Sequence, residues 1–187
     1  IFIFAPLFFD GKIFDFHLIY NTILGAIFFS MLNSSVYIIN DYYDLHEDRK
    51  HTYKKHRPLA SKAISIRTGL AISFFLCFIS FLGAYFLKKE LIIIFLVYLF
   101  NNILYSIKLK HIPVIDIFII SIGFYIRLII GSILSDITLS IWIIILTILL
   151  VLLLSLLKRK SDLIILSEIG NKTRKVIDRY SFEIINI

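Results

Sequence analysis

Asn40-Asp41-Tyr42-Tyr43-Asp44-Leu45-His46-Glu47-Asp48 is the segment of this chain best suited to chemistry. Its three aspartates stand at i, i+3 and i+7. At 100° per residue Asp41 and Asp48 differ by about 20° and Asp44 lies about 60° away, so one helical face carries all three. Three neighbouring carboxylates repel one another unless a cation sits among them. A cluster of hard oxygen ligands suits Mg²⁺, which takes one or two protein carboxylates and completes its shell with water and substrate phosphate. The plainer reading is a solvated acidic helix end. Basic residues follow at once: Arg49, Lys50, His51, Lys54, Lys55, His56 and Arg57, the last before Pro58. Acid followed directly by base matches a metal diphosphate, the carboxylates taking the metal and the cations the remaining oxygens.

A second polar set lies further along. Asp116 and Arg127 are eleven residues apart, about 16 Å along a helix and within about 20° of three whole turns, so both point the same way. A mid-membrane arginine costs about 2.5–3.5 kcal/mol on insertion scales and usually faces a polar cavity. Its bland alternative is an interhelical Arg–Asp bridge. Gly123 lies near that stripe and Gly131 at its edge, leaving room for a neighbour or a ligand. Asn101, Tyr105 and Lys108 form a parallel stripe, and Asn33 and Tyr37 extend the aspartate face inward. Core hydrogen bonding is an equal reading for Asn33 and Asn101.

These residues need elements that cross a membrane. Of the 187 residues 59% are hydrophobic and 18% charged, and the mean hydropathy is +0.89; a soluble shell, a disordered chain and a disulfide scaffold are excluded. The fold expected is all-α, a multi-pass helical bundle in the lipid bilayer. Five apolar runs, 18–40, 64–87, 91–107, 113–134 and 139–157, are long enough to span it, and residues 1–9 read as the end of a further helix. Counting the connections after the first full span, alternate loops and the tail carry sixteen Lys and Arg on one side against two on the other. The richer side is cytoplasmic by the positive-inside rule, which puts the acidic cluster at the cytoplasmic face; the membrane expected is an inner (plasma) membrane. The net charge of +7 is then loop charge, and no nucleic-acid partner is expected. Cys77 lies in an apolar run and reads as a packed or lipid-facing thiol. Residues 41–62 form a cytoplasmic motif loop and 158–187 an amphipathic surface tail.

The spacing Asn-Asp-x-x-Asp-x-x-x-Asp at 40–48, with Arg57-Pro58 downstream, resembles the first aspartate motif of the UbiA-type intramembrane prenyltransferases. Ala5-Pro6-Leu7, Tyr105-Ser106 with Leu109-Lys110, Pro113, Asp116, Gly123-Phe124, Arg127, Gly131, Ser140 with Trp142, and Lys158-Arg159 are similar to one branch, the decaprenyl-phosphate phosphoribosyltransferases. The likeness runs over nearly the whole chain. It implies about nine helices around a cavity open to the cytoplasm and to lipid, so that residues 1–187 are one incomplete domain, truncated at both ends. It also implies a Mg²⁺-dependent transfer of 5-phosphoribosyl from phosphoribosyl diphosphate to a polyprenyl phosphate, releasing diphosphate, in cell-wall precursor synthesis. Asp41, Asp44 and Asp48 would hold the metal, with Asn40 orienting them. Lys54 and Arg57 would bind donor phosphate, and Lys110, Lys158 and Arg159 the acceptor phosphate or the ribose 5-phosphate. Asp116 would meet ribose hydroxyls or a second metal, Tyr105 would join the substrate contacts, and Arg127 would stabilise the cavity. Asp162 stands where the family usually has Glu. Two other functions stay open: a prenyltransferase with an isoprenyl diphosphate donor, and a non-catalytic membrane protein.

Overall fold

A computed structural model describes residues 2–51 and 53–169, excepting the side chains of residues 162, 163 and 165–169. Five long helices carry the fold: α2 (Phe16–Tyr43), α4 (Ile66–Leu87), α5 (Glu90–Ile107), α6 (Ile115–Ser135) and α7 (Ile141–Ile169). Two short ones, α1 (Ala5–Phe9) and α3 (Leu45–Asp48), stand before and after α2. The described residues contain no strand. All five long helices have the length and hydropathy to cross a membrane, and the chain is a multi-pass membrane protein with the expected all-α architecture.

Local chemistry sets the boundaries. The Asp15 carboxylate accepts from the amides of His17 and Leu18 at 3.0 and 3.1 Å and starts α2, while Ser65 Oγ accepts from the Thr68 amide and starts α4 two residues later than the apolar run. Pro113 does not open α6. The Ile115 amide donates to the Pro113 carbonyl at 2.8 Å across Val114, whose φ is +71°. This tight left-handed turn is uncommon for a β-branched residue. It swings the chain from the short 3₁₀ turn Leu109–His111 into α6.

α2 is the central helix and packs on α4, α5 and α6, while α7 packs on α6. The core joins Phe29, Leu32 and Val36 of α2 to Ala84 of α4, Leu91, Phe95 and Tyr98 of α5, and Ile126, Ile130 and Leu134 of α6. Lipid tails are as apolar as these side chains, so close approach and interhelical hydrogen bonds must supply association. Ser35 and Ser73 share a 2.9 Å bond and the Ser80 hydroxyl donates to the Phe28 carbonyl at 2.8 Å, both between α2 and α4. Gly131 admits the Ile3 carbonyl where any Cβ would collide with it, which seats the N-terminal turn on α6. Cys77 is a free, half-buried thiol packed against the core. Outward faces carry exposed Phe74, Phe86, Trp142, Leu146 and Leu154, suited to lipid.

The spans alternate in direction. Connections 44–65 and 108–114 therefore share one end of the bundle, and 88–89 and 136–140 the other. Residues 158–169 continue α7 without a break; the remainder of the tail, 170–187, lies outside the described residues.

Candidate functional site

A cavity of about 710 Å³ opens at the end of the bundle that carries the acidic segment. Its mouth is built by the end of α2, α3, the loop to Arg57, and the connection between α5 and α6. The aspartates do not ride one unbroken helix. α2 ends at Tyr43, and Asp44 caps it with φ −88° and ψ −1° before α3 begins. The carboxylates converge nonetheless, because cations gather them. Arg57 Nη1 donates to Asp41 Oδ1 at 2.8 Å and to Asp48 Oδ2 at 2.9 Å. Lys110 Nζ, from the far side of the mouth, pairs with Asp44 Oδ1. Asn40 Nδ2 donates to the other Asp44 oxygen at 3.3 Å, while Asn40 Oδ1 is buried with no hydrogen-bond partner among the described residues. Four carboxylates (Asp41, Asp44, Glu47 and Asp48) and five cations (Lys50, Lys54, Arg57, Lys110 and Arg127) line the cavity.

Among the described residues no three His, Cys, Asp or Glu side chains stand in a metal-clasping arrangement; Arg57 and Lys110 occupy the carboxylates instead. The donor set still fits a hard divalent ion. It is all oxygen and lines one cavity, and it includes an orphaned amide oxygen that lacks the partner a buried acceptor normally has.

The floor lies deeper, where α2, α5 and α6 meet. Tyr98 donates to Asn33 Oδ1 at 2.5 Å. Arg127 donates to the Gly123 carbonyl at 2.6 Å and to the Tyr98 hydroxyl at 3.4 Å. Its guanidinium lies 5.0–5.5 Å from the ring centres of Phe124, Phe29 and Tyr98, a cation–π enclosure. Tyr105, Asn101, Asn33 and Tyr37 line the wall between floor and mouth.

Of the residues singled out in the sequence, the cavity brings together Asn40, Asp41, Asp44, Asp48, Lys54, Arg57, Tyr105, Lys110 and Arg127. It does not include Asp116, Lys158 or Arg159. Asp116 is fully buried and faces α7, where Arg159 donates to Asp116 Oδ2 from Nε at 3.0 Å and from Nη2 at 2.5 Å. The bridge thus joins Asp116 to Arg159, not to Arg127, although Arg127 shares its helical stripe. Lys158, one residue and about 100° away from Arg159, is exposed, as is Lys108, which lies off the cavity wall. The side chain of Asp162 lies outside the described residues. Tyr98 and Asn102 were not marked in the sequence. Tyr98 precedes Asn101 by three and Tyr105 by seven, so extending that polar stripe one turn inward would have found it.

A sequence profile of the UbiA prenyltransferase family matches residues 1–161. The chain is 33% identical over 158 residues to a decaprenyl-phosphate phosphoribosyltransferase of Mycolicibacterium smegmatis, covering 84% of this chain and 50% of that protein. The like-named protein of Mycobacterium tuberculosis is 30% identical over 84% of this chain and 52% of its own length. That of Corynebacterium glutamicum is 28% identical over 90% and 52%. The chain spans about half the length of the curated relatives it matches. With its profile match running from the N-terminal turn into α7, this chain belongs to the UbiA prenyltransferase family.

Proposed function

We propose that the protein of which this chain is part transfers a 5-phosphoribosyl group from phosphoribosyl diphosphate to a polyprenyl phosphate, releasing diphosphate, for cell-wall polysaccharide precursors. The single observation that carries the reading is the convergence of Asp41, Asp44, Asp48, Arg57 and Lys110 on one cavity mouth. The similarity to decaprenyl-phosphate phosphoribosyltransferases favours the phosphoribosyl donor.

The chemistry asks little of a general base, because the acceptor phosphate is already anionic. Its oxygen forms a bond to C1 of the ribose as the C1–O bond to diphosphate breaks, with oxocarbenium-like charge at C1 by analogy with glycosyl transfer. The work left to the protein is alignment and stabilisation of the leaving group. Mg²⁺ is the implied cofactor, and when bound it draws charge from the departing diphosphate. Asp41, Asp44 and Asp48 would hold it, with Asn40, whose amide donates to Asp44, orienting them. Arg57 and Lys110, released from those carboxylates, turn to phosphate oxygens, and Lys54 joins them. The charge-rich mouth faces the cytoplasm of the inner membrane, and the polyprenyl tail lies among the apolar helices.

The family description favours a second reading, in which an isoprenyl diphosphate is the donor. Radiolabelled phosphoribosyl diphosphate offered with polyprenyl phosphate, and isoprenyl diphosphate offered with an aromatic or glycerol-phosphate acceptor, each to the protein in membranes, separate the two. Diphosphate release is expected from the first alone. Asp41→Asn should lower that release about a hundredfold or more, the scale of losing one preorganised electrostatic group. Undiminished turnover in Asp41→Asn removes the carboxylates from the mechanism.

A further inference from the structure

We propose that the cavity floor is a second anion subsite, in which Arg127 binds a phosphate monoester and selects a sugar-phosphate donor over an isoprenyl one. The inference rests on the function proposed above and names the part of the donor that reaches inward, its 5-phosphate.

Among the described residues Arg127 is a cation that no carboxylate pairs with, whereas the other deeply placed arginine, Arg159, has Asp116. Among the described residues two of its five N–H donors meet acceptors, the Gly123 carbonyl and the Tyr98 hydroxyl. The three surrounding rings hold the guanidinium in place and partly offset its charge, but they accept no strong hydrogen bond. The side chain is half-buried and lines the cavity, so its unused donors have somewhere to point. Tyr98 completes the arrangement. By donating to Asn33 Oδ1 it presents lone pairs to Arg127, and the Asn33 amide nitrogen is left as a further donor on the cavity wall.

Spacing argues for one ligand that bridges floor and mouth. Asn33 and Asp41 are eight residues apart on α2, and Tyr98 and Tyr105 seven apart on α5, which is about 12 and 10 Å along the helix axes. A pentose with diphosphate on C1 and phosphate on C5 is a molecule of that length, charged at both ends. An isoprenyl diphosphate is charged at one end only. Its hydrocarbon would be pressed against an uncompensated guanidinium, removing water from a charge that gains no partner. The Gly123 position adds room: no atom other than Arg127 Nη1, at 3.5 Å, lies within contact range of a Cβ placed there.

The test is calorimetric titration of the detergent-purified protein in Mg²⁺ buffer with inorganic diphosphate, ribose 5-phosphate and geranyl phosphate. In the unaltered protein, ribose 5-phosphate should bind while inorganic diphosphate is saturating; mutual exclusion overturns the proposal. Arg127→Met should weaken ribose 5-phosphate tenfold or more and leave inorganic diphosphate within twofold. Arg127→Lys, which keeps the charge and loses the fork, should recover part of the loss. Equal weakening of both ligands would mean that Arg127 only holds the cavity open. Selective loss of geranyl phosphate would assign the floor to the acceptor. Either result sinks the proposal and leaves the reaction class standing. Failure of the function itself has another signature: unaltered protein that turns over isoprenyl diphosphate and ignores phosphoribosyl diphosphate.

Discussion

Two sets of oppositely charged side chains lie toward the same end of this bundle, and they differ in what they are free to do. Asp116 and Arg159 are 0% and 2% exposed, each the other's partner, between α6 and α7. Asp41, Asp44 and Asp48 with Arg57 and Lys110 share a cavity wall, and one guanidinium nitrogen serves two carboxylates at once. A sealed pair lies off the cavity, where no arriving ligand can trade with it. Its desolvation is offset only while both members remain, which makes it a fixed clamp between helices. A shared set beside a cavity can exchange partners when a charged ligand arrives, because carboxylates and cations each find a new counter-ion in a metal diphosphate. The residue types are the same in both places, so enclosure decides which is structure and which is a candidate site.

The comparison breaks most directly at the clamp. Arg159→Met takes the guanidinium away from the buried Asp116 carboxylate, and should lower stability by about 3–5 kcal/mol. The measurement is the thermal unfolding midpoint in detergent. Combining it with Asp116→Asn should recover most of the loss, because no charge is then stranded. A double variant as unstable as the single would show that the guanidinium does something beyond neutralising Asp116. Ligand binding at the mouth should survive in the double variant, since neither residue lines the cavity.

The mouth should show the reverse pattern. Asp44→Asn and Lys110→Met are each expected to weaken inorganic diphosphate tenfold or more in the presence of Mg²⁺. Their coupling in a double-mutant cycle of stability should be about 1 kcal/mol, well below the clamp, since water in the cavity can replace a lost partner. Coupling as large as that of the buried pair would mean that the mouth is a second clamp and not an exchangeable set.

Much of this was legible in the sequence, for reasons of length scale. Apolar runs of about twenty residues are local signals, and all five became helices, four with ends within three residues of the run and the fifth, α7, running twelve residues further to Ile169. The displacements have local causes too: the Ser65 cap, and the turn at Val114 that carries the chain past Pro113. The acidic cluster was also readable, because its members lie within eight positions. Its helical geometry was not, since Asp44 ends α2, and the carboxylates meet through Arg57 and Lys110, which lie 9 to 66 residues away. Partners at that range depend on which helices pack together. The same limit hid the partner of Asp116. The α6 stripe set Asp116 and Arg127 about 16 Å apart on one face, and the interhelical Arg–Asp bridge that was the bland alternative forms with Arg159 of α7, 43 residues away. Arg159 also lay in a run of three basic residues, and periodicity alone does not say which of three successive positions turns inward.

The far end of the bundle supplies the control that sharpens the contrast. Lys88 Nζ meets Asp136 Oδ1 at 2.5 Å and also donates to the Ile133 carbonyl at 2.7 Å. This pair joins the α4–α5 turn to the end of α6, and the Asp136 side chain is 77% exposed. It is open to water like the mouth, but it lines no cavity with the other carboxylates. If accessibility alone made an ion pair exchangeable, this one should bind diphosphate as well; a lone carboxylate beside a lone ammonium offers no such site. Asp136→Asn should therefore change stability by no more than about 0.5 kcal/mol and leave diphosphate binding unaltered, as expected of an exposed pair. Lys88→Met should cost slightly more, up to about 1 kcal/mol, because a cation at the C-terminal carbonyls of α6 also opposes the negative end of that helix. Thermal unfolding of the two variants at low and at 1 M salt checks the assignment. The Lys88 effect should shrink at high salt, where charges at an exposed surface are screened within about 3 Å, and the Arg159 effect should not.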